Sequence, residues 1–207
     1  MLQMAVTKAV RSIVDLREQF GMERSLSDDF FLEWQVDLSE LTTAEYATLD
    51  QVQQRFRYQR EMGQVPEGAV SAIVVSRLLE LAGFYDVPFG LRSQASVEVA
   101  TRVEGLMLRG RIDFLVLQDQ FWQAVVESKE TEFDIEVGVP QILAYMMAAK
   151  QRQVFGMVTN GSHFLFIKLQ REGAIGYDFS DTFSMLSRKN CLYDVLRILK
   201  KISQIVV

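Results

Sequence analysis

Two periods of apolar spacing run along the chain. Val6, Val10, Ile13, Val14 and Phe20 recur at helical spacing and predict an amphipathic helix over residues 4–20. Ser27-Asp28-Asp29 offers N-caps to a short aromatic helix carrying Phe30, Phe31 and Trp34. Thr42 and Glu45 have the spacing of a capping box, which opens a helix to about Met62. Pro66 suits the first turn of another helix, and Gly83 would end it.

From Ser96 the period becomes that of strands. They are predicted near 96–105, 109–118 and 122–129, joined by short turns, with a helix over 137–150. Residues 154–158 read as a buried strand, Asn160-Gly161 as a hairpin signal and 163–169 as the returning strand. A last helix spans about Asn190 to Ile202. This order predicts an α/β sandwich around a mixed sheet, with an N-terminal helical extension over 1–65 and a core over 66–207.

Composition narrows the class. A chain of 207 residues, 49% hydrophobic and 24% charged, can bury a full core and is not a disordered one. No apolar run reaches membrane-spanning length and no signal-like start is present, so no membrane partner is expected. Cys191 stands alone, which excludes an internal disulfide and suits a reducing cytoplasm. The net charge of −5 weakly opposes a nucleic-acid partner. The charge is uneven, however: Arg102, Arg109 and Arg111 gather around the predicted strands. Arg55, Arg57 and Arg60 crowd one helix, where a solvated face is the simpler reading.

The chemistry concentrates in three places. Asp113 lies inside the apolar run GRIDFLVL, and Glu127-Ser128-Lys129 ends the next apolar strand. Charges in buried strands are costly unless they are paired or used. A divalent cation held by two carboxylates, with a lysine beside it, resolves that cost. In an antiparallel hairpin, opposed positions sum to a constant, and Asp113 opposes Glu127 when that sum centres on Gln120. A three-residue loop, Asp119-Gln120-Phe121, satisfies this and starts the two carboxylates from Cα atoms roughly 5 Å apart. A two-residue turn would put them on opposite faces. Glu127 and Lys129, two apart, share a face in either case. Lys129 would orient or deprotonate a water, or steady the charged phosphorane; the residues alone do not choose.

With Gln141 and Tyr145 added, these pieces resemble the PD-(D/E)xK nuclease superfamily, in particular the N-terminal nuclease domain of type I restriction enzyme motor subunits. The matching motifs are Asp113 in GRIDFLVL, the ExK triplet Glu127-Ser128-Lys129, the QxxxY pair Gln141 and Tyr145, and FGMVTNGSHFLFIKL as the strand pair that follows. The resemblance covers roughly residues 66–170. It implies a restriction endonuclease-like α/β/α fold and a DNA-cutting phosphodiesterase. Asp113, Glu127 and the Ser128 carbonyl would hold Mg²⁺, with Mn²⁺ able to substitute. Lys129 would be catalytic, and Gln141 and Tyr145 would lie near the DNA backbone or the site, with Arg111 a further DNA contact. The proline that often precedes the first acid is replaced by Ile112. No helicase motor is encoded in these residues, so ATP-driven translocation is not either; the resemblance makes a separate motor or methyltransferase subunit a candidate partner. On the residues alone, Gln141 and Tyr145 would also fit a surface helix with Tyr145 at its edge.

The superfamily also places an acid on the first core helix. At 100° per residue, Val70, Val74, Leu78 and Leu81 fall within about 60° of Glu67, whereas Glu80 falls on the polar side. Glu67 is therefore the expected third acid, although a first-turn acid also suits the helix dipole. His163 lacks the partners of a zinc site. Val10, Val14 and the aromatic group at 30–34 would be additional core or a homodimer contact. The rival to the nuclease is a non-catalytic nucleic-acid or protein interaction module on the same fold.

Overall fold

A computed structural model describes residues 2–103, 106–118 and 121–205. The strands are β1 (Leu2–Ala5), β2 (Met22–Arg24), β3 (Phe89–Ala100), β4 (Leu106–Gln118), β5 (Phe121–Ser128), β6 (Gln153–Thr159), β7 (His163–Glu172), β8 (Ala174–Phe179) and β9 (Phe183–Ser184). The helices are α1 (Val6–Ala9), α2 (Ile13–Phe20), α3 (Thr43–Glu61), α4 (Glu67–Val70), α5 (Ser76–Leu81), α6 (Ile135–Met146) and α7 (Leu192–Ser203), and a π-helical turn, Ser71–Val75, joins α4 to α5. The strands form one mixed sheet. β5 and β6 are parallel neighbours connected by α6, β6 to β8 form an antiparallel meander, and β3 pairs antiparallel with β4.

Alternation along the central strands produces two cores. Phe164 and Phe166 of β7 pack with Phe155 and Met157 of β6 against residues of α3, α5 and α7. Leu165, Ile167 and Leu169 pack with Val154 and Val158 against α1, α2 and α6 on the other face. Successive side chains on a strand point to opposite faces, so strands buried on both sides are apolar throughout. The protein is thus a mixed α/β layer structure with helices on both faces of the sheet.

The long helix starts as its sequence predicts. Thr42 Oγ1 accepts the Glu45 amide at 3.2 Å, and the Glu45 carboxylate accepts the Thr42 amide at 2.6 Å. Pro66 is the residue before α4, and Gly83 takes a left-handed φ of 84° just beyond α5. The N-terminal segment differs from the expected helical extension. Residues 2–5 pair in parallel with β4, and 22–24 pair with β8, leaving only short helices between them. Edge pairing satisfies the backbone of 2–5 in place of a helix, and its apolar period resumes only in α2. The predicted helix at 27–34 is a series of turns whose backbone bonds run from Phe30 to Ser27 and from Gln35 to Leu32. Its aromatics contribute to the core: Phe31 is buried and packs on Phe155, and the half-buried Trp34 meets Phe183 edge-on. Val10 is buried as well, whereas Val14 is exposed. β8 and β9 carried no strand prediction.

Candidate active site

The site lies where one edge of β4 changes neighbour. β3 occupies one edge of β4 along nearly its whole length. The opposite edge is paired with β5 over Phe114–Gln118 and with β1 over Leu106–Arg109. Gly110–Asp113, between them, have no strand on that side among the described residues. Tyr145 of α6 fills part of the opening, with its hydroxyl near enough to the Arg111 backbone amide for that dipole to favour the phenolate. A Cβ on Gly110 would collide with the Tyr145 ring, so the absence of a side chain there is what admits the phenol.

At the same level β3 and β4 exchange faces. Phe89 and Leu91 belong to the α3 side of the sheet, but Ala95, Val97 and Val99 belong to the α6 side. In β4, Phe114 and Val116 face the α3 side, whereas Leu106, Leu108 and Ile112 face the α6 side. A regular strand keeps alternate residues on one face, so both strands turn over between these sets. Gln94, with φ of 51°, and Asp113 sit at the reversal. The Gln94 side chain donates to Asp113 Oδ1 at 3.0 Å.

The expected register holds as far as Phe114, by a different route. Phe114↔Val126, Leu115↔Val125 and Val116↔Ala124 have the predicted sum, and the pairing stops one step short of Asp113 and Glu127. The three-residue loop is not the cause. Phe121 pairs with Gln118 as a strand residue, and positions 119 and 120 lie outside the described residues. A bulge beside Val116 and Leu117 supplies the extra residue and restores the register that a tight turn would have shifted. Paired strands end at Phe114 and Val126, and beyond them Asp113 Oδ2 accepts the Ser128 amide at 2.8 Å and the Ser128 hydroxyl at 2.9 Å.

Glu127 is the most confined acid of the group, at 2% exposure. Its Oε1 accepts from Lys129 Nζ at 2.5 Å and from Gln141 Nε2 at 2.6 Å, and Gln141 also donates to the Tyr145 hydroxyl at 2.8 Å. Its Oε2 is buried without a hydrogen-bond partner. Burial pushes its pKa up to about 7; Lys129 opposes the shift, and Asp113 and Glu67 add to it. The Lys129 ammonium lies 5.9 Å from the centre of the Phe133 ring, and its backbone amide is held by the Thr159 carbonyl.

Gln141 and Tyr145 therefore sit at the base of the site. α6 is not a surface helix: it begins at Ile135, two residues before the predicted start at 137, with Asp134 as its N-cap, and Tyr145 is 2% exposed. Burial and the Glu127 charge raise the Tyr145 pKa. Glu67, exposed at the start of α4, carries a raised pKa from partial desolvation and the Asp113 charge, with Lys129 opposing. Glu80 instead pairs with Arg77 at 2.7 Å, away from it. Arg111 is exposed at the opening of β4.

Sequence reasoning missed several supporting residues. Ser71, in the π-helical turn, is 2.8 Å from the Ser128 hydroxyl; that hydroxyl donates to Asp113, so Ser71 is the donor to it. Its place four residues after Glu67 was a usable signal. Gln94 offered none, because its contact depends on an unusual φ. Thr131 and Asn160 fasten the segment after Lys129. Thr131 Oγ1 accepts from the Val65 amide at 3.1 Å and from Arg60 at 2.9 Å. Asn160 donates to the Phe133 carbonyl at 2.8 Å while accepting the Ser162 and His163 amides.

The donor set suits a hard cation. Glu127 Oε2 is free of hydrogen bonds, and Asp113 Oδ1 has only one, whereas Asp113 Oδ2 already accepts two. A carboxylate oxygen has about two lone-pair sites, so the capacity for a metal lies on Glu127 Oε2 and Asp113 Oδ1. No cluster of three or more His, Cys, Asp or Glu side chains poised for a metal occurs among the described residues. Mg²⁺ does not need one, since it keeps several waters and takes one or two carboxylates. A separate hollow of about 720 Å³, between residues 131–136, the β6–β7 connection and the end of β8, touches none of Asp113, Glu127 and Lys129.

No helix of the described residues is long and apolar enough to cross a membrane. Neither a family model, nor a curated protein, nor a solved structure matches this chain.

Proposed function

We propose that this chain is a Mg²⁺-dependent deoxyribonuclease of the restriction endonuclease-like type, hydrolysing phosphodiester bonds in DNA. The observation that carries the reading is the buried Glu127 Oε2, left without a partner next to Lys129 and one strand away from Asp113. A buried unpartnered carboxylate oxygen is costly, and an oxygen-seeking cation removes that cost. The order of Asp113, Glu127-Ser128-Lys129, Gln141 and Tyr145 supplies the family resemblance.

Asp113, Glu127 and the Ser128 carbonyl would hold the ion, which lowers the pKa of water and offsets charge on the phosphate. The protein's own groups do the positioning. Gln94 and Ser128 fix the Asp113 carboxylate, and Ser71 fixes Ser128 in turn. Gln141 and Lys129 together occupy Glu127 Oε1, which directs Oε2 to the ion. Tyr145 aligns Gln141 from below. The Lys129 ammonium, already a donor to a carboxylate, serves as a donor to the phosphate oxygens as negative charge grows on them. Water oxygen attacks phosphorus in line and gives up a proton to solvent, the opposite phosphorus–oxygen bond breaks, and the departing oxygen takes up a proton from solvent. Glu67 adds negative charge at the rim and would hold a water beside the ion.

Calorimetric titration with Mg²⁺ and Mn²⁺ separates this reading from a non-catalytic interaction module on the same fold. Binding by the wild type that Asp113→Ala removes supports the nuclease. An absence of binding by the wild type favours the module, to which the net charge of −5 lends some weight for protein partners.

A further inference from the structure

The opening in the β4 edge leads into a hollow of about 400 Å³, lined by Thr7, Ser96, Arg109, Arg111 and Tyr145 around the bare backbone of Gly110. We propose that this hollow binds a phosphodiester group of the substrate strand adjacent to the one that is cut. The inference rests on the nuclease reading and adds to it a second contact point for the same strand.

Charge is the first ground. Arg109 is committed to Glu98 at 2.6 Å, but Arg111 forms no ion pair among the described residues. Ser96 and Thr7 add hydroxyls on neighbouring walls, and Arg111, Ser96 and Thr7 are all exposed. An exposed guanidinium flanked by hydroxyls suits a phosphate, which Arg can meet with parallel donors. Among the described residues no carboxylate lines this hollow, whereas the hollow of about 720 Å³ is lined by Glu132, Asp134 and Glu136, which repel phosphate.

Continuity with the site is the second ground. Tyr145, which lines the hollow, bonds Gln141, and Gln141 bonds Glu127. A group seated there is two side chains from the carboxylate that would hold the ion. The exposed Thr7, Ser96 and Arg111 keep the hollow open to solvent, so an extended strand can continue past it. Its outer wall is residues 5–7, which gives the N-terminal segment a part in binding.

The test is fluorescence anisotropy of a labelled single- and double-stranded oligonucleotide on the full chain, in chelator, across a salt series. Variants are Arg111→Gln, Ser96→Glu and, as a control at an exposed arginine elsewhere, Arg188→Gln. Each lost phosphate contact lowers the slope of log affinity against log salt by about 1. Arg111→Gln is expected to lower the slope by that amount and the affinity by about tenfold, Ser96→Glu to weaken binding at least as far, and Arg188→Gln to do neither. Wild-type slope in both Arg111→Gln and Ser96→Glu overturns the proposal. Competition by inorganic phosphate or a nucleoside triphosphate as effective as by the oligonucleotide also overturns it, assigning the hollow to a free phosphate compound. Asp113→Ala separates the two readings. If it retains cleavage, the nuclease site is wrong even where the Arg111 slope changes; if it loses cleavage and the Arg111 slope does not change, only the hollow is wrong.

Discussion

The Ser128 amide donates to Asp113 Oδ2 at 2.8 Å, just beyond the last paired residues of β4 and β5. A side chain thus takes over a backbone donor where the ladder stops. The carboxylate is thereby fixed by the strand that carries Glu127 and Lys129, and the acids are coupled through backbone geometry as well as charge.

Asp113→Asn follows directly from that bond. Three donors from Gln94 and Ser128 converge on the two carboxylate oxygens, and an amide can present only one oxygen to them. With that oxygen kept toward Ser128, the exposed Gln94 amide must turn over to accept from the new nitrogen, and charge-assisted bonds become neutral ones, at a cost of about 1 kcal/mol. Urea denaturation in chelator should show that loss, and an unchanged midpoint would mean that the carboxylate is not held as described.

Gly110→Ala tests the opening in β4. The added methyl meets the Tyr145 ring, so the phenol must withdraw and release Gln141. Overpacking of this kind costs about 1–3 kcal/mol. Cleavage should fall with the stability loss, and Tyr145→Phe in the same background should not restore it, since the ring remains. Full activity in Gly110→Ala would show that Tyr145 does not support Glu127.

Glu127 makes folding pH-dependent in the absence of metal. Its pKa rises from 4.5 to about 7 in the folded state, chiefly by burial. A raised acid favours the folded state while it is protonated, so that stability is complete below the unfolded pKa. It is lost as pH climbs from about 4.5 through about 7. At about 1.4 kcal/mol per pKa unit, the loss by pH 8 is on the order of 3 kcal/mol. Glu127→Gln removes this dependence. It should melt higher than the wild type at pH 8 and no higher at pH 4.5, and Mg²⁺ should raise the melting temperature of the wild type alone. Parallel melting curves for the two proteins across this range would contradict the assignment.

Much of this arrangement was legible in the residues, and the exceptions have identifiable causes. Thr42 and Glu45 announced α3 because a capping box is a local hydrogen-bond pattern. Asp113 and Glu127 stood out because charges in apolar strands need partners, and their register followed from arithmetic. The bulge that realises that register was not legible, since any of several residues near the turn can be the extra one. Gln94 was invisible for a related reason: its φ of 51° is imposed by the turning over of β3 and β4. β1 and β2 were hidden because a short strand at the edge of a sheet is specified by its neighbour, not by its own period. The burial of Tyr145 depended on Gly110, thirty-five positions earlier, whose significance appears only once α6 lies over β4.

Asn160→Ala should loosen the segment that carries Phe133 beneath Lys129. It removes the bond to the Phe133 carbonyl and leaves the Ser162 and His163 amides without their acceptor. A stability loss of about 1–3 kcal/mol is expected, together with faster hydrogen exchange across 131–133. Exchange unchanged there would remove Asn160 from the support of the site.

The most direct measurement is cleavage of supercoiled, linear and single-stranded DNA by the purified protein in Mg²⁺ or Mn²⁺, beside Asp113→Ala and Lys129→Ala proteins. The account predicts cleavage by the wild type that chelator and each substitution abolish, with both variants still folded. Cleavage that survives both substitutions, or no cleavage of any substrate by a wild type that also binds no metal, would contradict it.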